Sequence, residues 1–231
     1  MKKWLWSFFL VFLVTIISFV YINNSSDLAV FEIETKYKEE IFDIDNSKFK
    51  IYVNDSFSDY NTSEREDEIE YIVIHYTGTI SDAKTIIKSY NDLRSKNASA
   101  DFFVSHDGEI YQYNPNIDKR YSWAVGGDKK ANNGGKFYKK VNNENSVSIE
   151  MCVKNNKGNT EYNDGWYFTD DTISATITLV KYLKQKYNID SDHIVRHYDV
   201  TGKECPGVMG WNDEDGSNSK KWNEFLKIFT I

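Results

Sequence analysis

The sequence contains few cysteines. Its 231 residues include only two, Cys152 and Cys205, which cannot build the framework of bridges that stabilises many small secreted domains. Hydrophobic residues make up 40% of the chain and aromatic residues 16%, enough to bury a sizeable core in one domain. A single bridge between Cys152 and Cys205 stays open as the alternative to a separate role for Cys205.

The sequence also lacks a basic stripe and an internal repeat. Its net charge is −7, and acidic and basic residues are interspersed along the chain. Proteins that follow a phosphate backbone concentrate lysine and arginine on one face or along one segment. We therefore expect no nucleic-acid partner.

Long apolar runs are absent except at the N-terminus. Residues 4–22 carry no charge and follow Lys2 and Lys3. About 20 apolar residues suffice to span a bilayer, and flanking lysines tend to stay cytoplasmic. A secretory signal has a shorter apolar region and a small-residue cleavage site, so an uncleaved anchor is favoured over a cleaved leader. The pattern predicts a single-pass protein of the cell membrane, with residues 1–22 as cytoplasmic stub and transmembrane anchor.

The segment after the apolar run, residues 23–66, is polar and acidic, which predicts a stalk. Apolar and polar residues alternate over residues 42–45 and 49–53, and these pieces could form a hairpin that turns at Asn46 and Ser47. An extension packed against the following domain is the open alternative.

Strand and helix patterns alternate after residue 67. Short β-branched runs predict strands, and apolar residues at helical spacing behind Ser81 and Thr169 predict helices. Alternating elements of this kind predict an α/β fold for residues 67–231, a mixed central β-sheet flanked by helices and preceded by one N-terminal transmembrane helix. The predicted strands are residues 70–75, 102–104, 109–112, 145–153 and 193–195, and the predicted helices are residues 81–96, 169–187 and 222–228.

The predicted strand at residues 145–153 has two different faces. Because successive side chains of a strand point to opposite sides, Ser148, Glu150 and Cys152 share one face. The opposite face is apolar and carries Val147, Ile149 and Met151.

The loop at residues 196–207 combines an imidazole, an ammonium and a thiol. His197, Lys203 and Cys205 lie within it, and glycines and a proline stop it from continuing as helix or strand. A catalytic zinc ion takes three protein ligands from histidine, cysteine and carboxylate and keeps a fourth position for water. The best third candidate is His75, at the end of a predicted strand. Together these residues predict a zinc site whose ligands are brought together by tertiary folding.

Four blocks of sequence occur in a fixed order. They are residues 71–75 (YIVIH), residues 99–104 with Asp107 and Gly108, residues 145–150 (NSVSIE), and the loop from His197 to Cys205. In this order they resemble the zinc-dependent N-acetylmuramoyl-L-alanine amidases of the phage-lysozyme and peptidoglycan-recognition type. The resemblance covers residues 67 to 227 and implies an amidase/peptidoglycan-recognition-like fold.

The resemblance also implies a ligand set and a mechanism. His75, His197 and Cys205 would hold Zn²⁺, Glu150 would act as general base, and Lys203 would stabilise the oxyanion. The implied reaction is hydrolysis, by zinc-activated water, of the amide bond between N-acetylmuramic acid and L-alanine in peptidoglycan. The anchored amidase domain would meet this substrate outside the cell.

Two alternatives stay open. Relatives that lose a zinc ligand bind muropeptide without cutting it, so a membrane-tethered, non-catalytic peptidoglycan-binding sensor is one alternative. The other is a structural zinc site that is closed by Glu150 as a fourth ligand.

The sequence departs from the resembled family at three positions. Asp101 stands where many members have histidine, Ala100 where some have tyrosine, and Ala124 where many have histidine after a tryptophan. We expect these differences to alter substrate contacts. The residues predicted to line the cleft are Trp123, Gly126, Gly127 and Asn145.

Overall fold

Strands and helices alternate along the described chain. The computed structural model of the protein describes residues 34–92, 97–126, 134–157, 165–209 and 220–230, and those from Thr35 onward belong to one compact unit. The strands in these ranges are β1 (Tyr37–Ile44), β2 (Ser47–Asn54), β3 (Thr62–Glu64), β4 (Tyr71–Tyr76), β5 (Phe102–Val104), β6 (Ile110–Gln112), β7 (Arg120–Ser122), β8 (Ser146–Met151), β9 (Lys154–Asn155), β10 (Trp166–Tyr167) and β11 (Ile194–Arg196). The α-helices are α1 (Ala83–Asp92), α2 (Asp170–Tyr187), α3 (His197–Thr201) and α4 (Lys220–Lys227).

Seven of the strands form one mixed sheet in the order β1-β2-β6-β5-β8-β4-β11. The neighbours β5, β8, β4 and β11 run parallel, whereas β1 with β2 and β5 with β6 are antiparallel. Two smaller sheets pair β3 with β7 and β9 with β10. The α/β fold with a mixed central sheet agrees with the sequence-based expectation.

Helix α2 covers one face of the sheet. Thr169 caps its start by accepting a hydrogen bond from the Thr172 backbone N–H at 3.0 Å, and Asn188 ends it in the left-handed conformation. Its buried residues Leu179 and Leu183 share a core with Ile149 of β8. Burying each such side chain contributes roughly 1.5–3 kcal/mol.

Helix α1 covers part of the opposite face. Its buried residues Ala83 and Ile87 pack in one cluster with Phe103 and Cys152. The helix ends at Asp92, and the predicted continuation over residues 93–96 lies outside the described residues. The division of the predicted strand into two faces is confirmed, since Val147, Ile149 and Met151 lie in the core under α2 and Cys152 lies on the side of α1.

The prediction of a stalk is wrong for the hairpin β1–β2. The two strands join through Asp45 and Asn46, whose positive φ angles of 50° and 62° suit a tight two-residue turn. Strand β2 then pairs in parallel with β6 of the central sheet. The polar composition of this segment belongs to its solvent-facing side, while Ile51 is only 1% exposed. The alternative of an extension packed on the domain therefore describes these residues.

The structure does not support the prediction that the fold includes a transmembrane helix. Residues 4–22, which were expected to form it, lie outside the described residues. Across the part of the chain that the structure describes, no helix is both long and apolar enough to cross a membrane. Even the 18-residue helix α2 is amphipathic, because only one of its faces packs on the sheet. The described residues support the mixed α/β domain.

A pair of isoleucines tests whether the hairpin is part of the domain. Ile51→Ala should lower the free energy of unfolding by about 2–4 kcal/mol, because it leaves a cavity in the core. Ile41→Ala, at a residue 65% exposed on the partner strand, should change the free energy by less than about 0.5 kcal/mol. Chemical denaturation of both variants measures these values. A free stalk would make both substitutions neutral.

Candidate active site

The carboxyl ends of three parallel strands meet at one edge of the sheet. His75 lies near the end of β4 and pairs in register with Glu150 of β8. On the other side of β4, Arg196 of β11 pairs with Ile74, so His197 follows directly at the level of His75. Parallel pairing thus places two imidazoles and a carboxylate on neighbouring strands. In open α/β sheets this edge is the usual place for a site.

Cys205 completes a compact cluster with the two histidines. His75 Nδ1 lies 3.1 Å from His197 Nδ1 and 3.8 Å from Cys205 Sγ. The candidate ligand atoms of the three residues all lie within 4.8 Å of one another, and all three residues are buried. The structure therefore brings together the three residues that the sequence analysis named as ligands.

The spacing of this cluster suits a tetrahedral metal ion. Zinc bonds of about 2.0–2.1 Å to nitrogen and about 2.3 Å to sulfur would separate two nitrogens by about 3.3 Å, and a nitrogen from a sulfur by about 3.6 Å. The two separations from His75, 3.1 Å and 3.8 Å, are close to these values. The separation of His197 from Cys205 is at most 4.8 Å, so the three residues can hold a metal ion if this pair moves closer together.

Burial and neighbouring charges set the protonation states of the candidate ligands. Burial lowers the pKa of His75, and the charges of His197 and Lys203 lower it further, so His75 is neutral and able to coordinate. Burial also raises the pKa of the Cys205 thiol, and the nearby Glu150 adds to this effect. A coordinated metal ion would convert the thiol to the thiolate that binds it.

An ion pair between Arg196 and Asp199 fixes the turn that carries His197. Arg196 donates from its backbone N–H and from Nη2 to the Asp199 carboxylate, each at 2.9 Å, and both residues are buried. The Arg196 guanidinium also lies over the rings of Tyr198 and Trp222, at 5.0 and 5.5 Å. The sequence analysis missed this pair, although an acidic residue three positions after a helix start is a known capping signal.

The return of the chain to Cys205 is fixed by backbone hydrogen bonds. The Tyr198 N–H donates to the Cys205 carbonyl at 2.9 Å, and Gly202 ends α3 in the left-handed conformation. The Tyr76 backbone N–H donates to the Cys205 sulfur, which favours the thiolate. These contacts hold the thiol beside the end of β4.

Glu150 lies beside the cluster and outside the group of candidate ligands. The residue is partly exposed, but its Oε2 is buried and has no hydrogen-bond partner among the described residues. Burial raises the pKa of Glu150 to about 8, and the positive charge of Lys203 opposes this rise. A bound metal cation would act in the same direction as Lys203. A carboxyl group with a pKa near neutrality is suited to proton transfer.

Lys203 is an exposed residue of the loop that leads to Cys205. Its charge lowers the pKa values of His75, Glu150 and Cys205, so it lies within electrostatic reach of all three. The ammonium group can therefore stabilise negative charge that develops at this edge of the sheet.

The two cysteines are not bridged. Both are free and buried, and Cys152 packs with α1, whereas Cys205 joins the histidines. The alternative of a bridge between Cys152 and Cys205 is therefore wrong.

Asp101 has a structural contact in place of the expected substrate contact. It is 1% exposed, and its Oδ2 accepts hydrogen bonds from the Ser148 backbone N–H and hydroxyl, each at 2.9 Å. Asn114 donates to the other carboxylate oxygen at 3.2 Å. The carboxylate ties the start of β5 to β8, and the neighbouring Ala100 is fully buried.

The residues predicted to line the cleft have separate surroundings. Asn145 precedes β8, at the end of that strand opposite the cluster, and donates to the Lys140 carbonyl at 2.9 Å. Trp123 is partly exposed and donates from Nε1 to the Ser63 hydroxyl at 2.9 Å. Gly126 is exposed, and Gly127 lies outside the described residues. The structure therefore does not bring the three described residues, Trp123, Gly126 and Asn145, together around the cluster.

A buried His–His–Cys cluster beside a carboxylate, at the edge of an α/β sheet, defines a candidate metal-dependent hydrolase. The pattern of the N-acetylmuramoyl-L-alanine amidase family matches residues 65–208. This match covers more than half of the chain. The protein therefore belongs to the N-acetylmuramoyl-L-alanine amidase family.

Similar proteins point in the same direction. The chain is 30% identical over 143 residues to the N-acetylmuramoyl-L-alanine amidase CwlL of Bacillus licheniformis, covering 60% of this chain and 36% of that protein. It thus spans about a third of the length of that relative. The catalytic domain of XlyA has a similar structure, with a TM-score of 0.53, 22% identity, and coverage of 74% of this chain and 92% of that one. A mutant endolysin from Bacillus subtilis gives a TM-score of 0.51, 23% identity, and coverage of 74% and 91%. These two structures support the fold.

Two glycines test the packing behind His197. A Cβ at Gly134 would lie 2.6 Å from the Tyr198 carbonyl oxygen and 2.7 Å from the Gly202 Cα, so Gly134→Ala must displace the backbone around α3. We expect a loss of about 1–3 kcal/mol of unfolding free energy together with weaker metal binding. Gly126→Ala is the matched control, since a Cβ there meets nothing within 4 Å. Equal stability of the two variants by chemical denaturation would contradict this account.

Proposed function

We propose that the protein hydrolyses the amide bond between N-acetylmuramic acid and L-alanine in peptidoglycan, using a zinc ion held by His75, His197 and Cys205. The observation that carries this proposal is the cluster of these three ligands beside Glu150, in a chain of the amidase family. Peptidoglycan lies outside the cytoplasmic membrane, so the domain would act on that side of it.

The donor set favours zinc in an open site. Two imidazole nitrogens and a thiolate are ligands that zinc prefers, and three protein ligands leave a fourth position for a water molecule. Glu150 is not among the grouped ligand atoms, which supports a role next to the metal ion over the alternative of a closed structural site. The presence of all three ligands likewise supports an enzyme over a non-catalytic sensor.

The side chains around the metal position suggest how the reaction proceeds. A zinc ion supplies polarisation of the scissile carbonyl and lowers the pKa of a water molecule. Glu150 would take the proton from the attacking water and deliver it to the nitrogen of the departing L-alanine. Burial raises the pKa of Glu150, and the positive charges of Lys203 and of a metal ion would lower it, so the same carboxyl group can accept and then donate that proton. Lys203 would stabilise the negative charge on the carbonyl oxygen in the tetrahedral state.

Product analysis tests the proposed reaction. Purified peptidoglycan treated with the protein should yield new amino termini of L-alanine and no new reducing sugar ends, since amide cleavage leaves the glycan intact. Chelation should stop the reaction and added zinc should restore it. Glu150→Gln should keep the metal and lose about 10²–10⁴-fold in kcat. Muropeptide binding without new amino termini would favour the sensor, and loss of zinc in Glu150→Gln would favour a closed site.

The pH profile separates two roles of Lys203. The positive charge of Lys203 lowers the pKa of Glu150, so Lys203→Ala should raise that pKa, reduce the ionised fraction at a given pH, and move the acidic limb of kcat/KM to higher pH. An oxyanion role adds a drop of about 10²–10³-fold in kcat at every pH. Lys181→Ala, at a lysine of α2 that pairs with Asp45, is the control for removal of a positive charge elsewhere. An unchanged profile and rate in Lys203→Ala would remove this residue from the mechanism.

A further inference from the structure

The hairpin β1–β2, helix α2 and the loop after β6 surround a cavity that is open to solvent. Its volume is about 480 Å³, within the range of small-molecule sites. Ile51 and Phe102, which are at most 2% exposed, form its apolar base on β2 and β5. Tyr182 of α2 forms a wall, with its ring centroid 4.8 Å from that of Phe42 on β1. The cavity therefore exists because the hairpin joins the central sheet.

Two side-chain amides line this cavity with unused hydrogen-bonding groups. Gln112 donates from Nε2 to the Asn114 carbonyl at 2.8 Å, which orients the amide, and its Oε1 has no partner among the described residues. Asn116 is exposed, and its side-chain amide makes no hydrogen bond within the part of the chain that the structure describes. Both amides can therefore bind a ligand without breaking a contact of the fold.

The charged side chains around the cavity largely compensate one another. Lys38 lies 2.8 Å from Glu40, and Lys186 lies 3.7 Å from Asp118. Asp55, the remaining charged residue of the described lining, is exposed to solvent. The lining therefore has no large excess of one charge that would attract an ion.

We propose that this cavity binds N-acetylated sugar units of the glycan strands of peptidoglycan. The proposal rests on the proposed function, because it takes the polymer that carries the scissile bond as the ligand. A sugar ring presents an apolar face of C–H groups, which suits the base at Phe102 and the wall at Tyr182. Its acetamido group offers one donor and one acceptor, which the amides of Gln112 and Asn116 complement. An apolar ligand would leave both amides unpaired, and an ion would meet charges that are already paired.

The cavity lies on the opposite face of the sheet from the candidate active site. Phe102 at its base pairs with Ile149 of β8, whereas Glu150 pairs with Phe103 on the other face. The wall contains many strands with the same sugars, so this cavity can hold one strand while the site acts on another. Such a second contact would raise the local concentration of the scissile bond.

Titration calorimetry with a tetramer of N-acetylglucosamine tests the proposal on the full chain. Asn116→Ala should weaken binding about three- to tenfold through loss of a hydrogen bond. Tyr182→Ala should weaken it about tenfold, and Tyr182→Phe, which keeps the ring, should stay within about twofold of the unmutated chain. Gln185→Ala and Tyr167→Ala remove an exposed amide and an exposed ring outside the cavity, and should change the affinity by less than about twofold.

A tetramer of glucose tests the role of the acetamido group. It should bind at least about threefold more weakly, because it offers the amides no acetamido partner. Equal binding of the two tetramers, equal affinities of Asn116→Ala and Gln185→Ala, or no binding of the acetylated tetramer would overturn the proposal. Asn116→Ala changes an exposed residue, so it decides the result even if Tyr182→Ala does not fold. Neither tetramer contains the scissile amide, so failure of the hydrolysis assay would not affect this measurement.

Discussion

Parallel pairing of β4 with β8 and β11 is the constraint on which the candidate site depends. The pairing sets His75 level with Glu150 on one side and places His197 directly after β11 on the other. A shift of one residue in either pairing would turn the side chains to the opposite face of the sheet. The apolar residues under α2 oppose such a shift, because it would move Ile149 out of the core. The packing of the core therefore also fixes the geometry of the cluster.

Desolvation links this geometry to chemistry. The sheet edge and the loop after β11 exclude water from His75 and Cys205, so both are neutral without a cation nearby. A metal ion would bind a neutral imidazole directly and would bind the thiol with release of a proton. The same desolvation raises the pKa of Glu150 to about 8, so this carboxyl group needs the positive charge of Lys203 and of a metal ion to be ionised at neutral pH. One physical effect therefore keeps the thiol ligand and the general base protonated, and a bound cation would reverse it at both.

Local patterns in the sequence predict much of the fold, whereas tertiary pairing decides the rest. The alternation in β8 and the cap at Thr169 specify their elements directly, and the structure agrees with both. The sequence also predicts the three candidate ligands, because two of them lie in one loop and the third lies at the end of a predicted strand. The place of β1 and β2 in the central sheet depends on pairing with β6, which no local pattern reports. The burial of Asp101 and the close approach at Gly134 likewise depend on neighbours distant in the sequence.

The coordination of zinc tests the central claim most directly. X-ray absorption of the zinc-loaded full chain should show one sulfur at about 2.3 Å, with imidazole nitrogens and one further light atom at about 2.0–2.1 Å. Cys205→Ser should remove the sulfur, and Cys152→Ser, at a cysteine buried against α1, should leave it in place. A sulfur ligand that persists in Cys205→Ser, or a site with two sulfurs, would contradict the account.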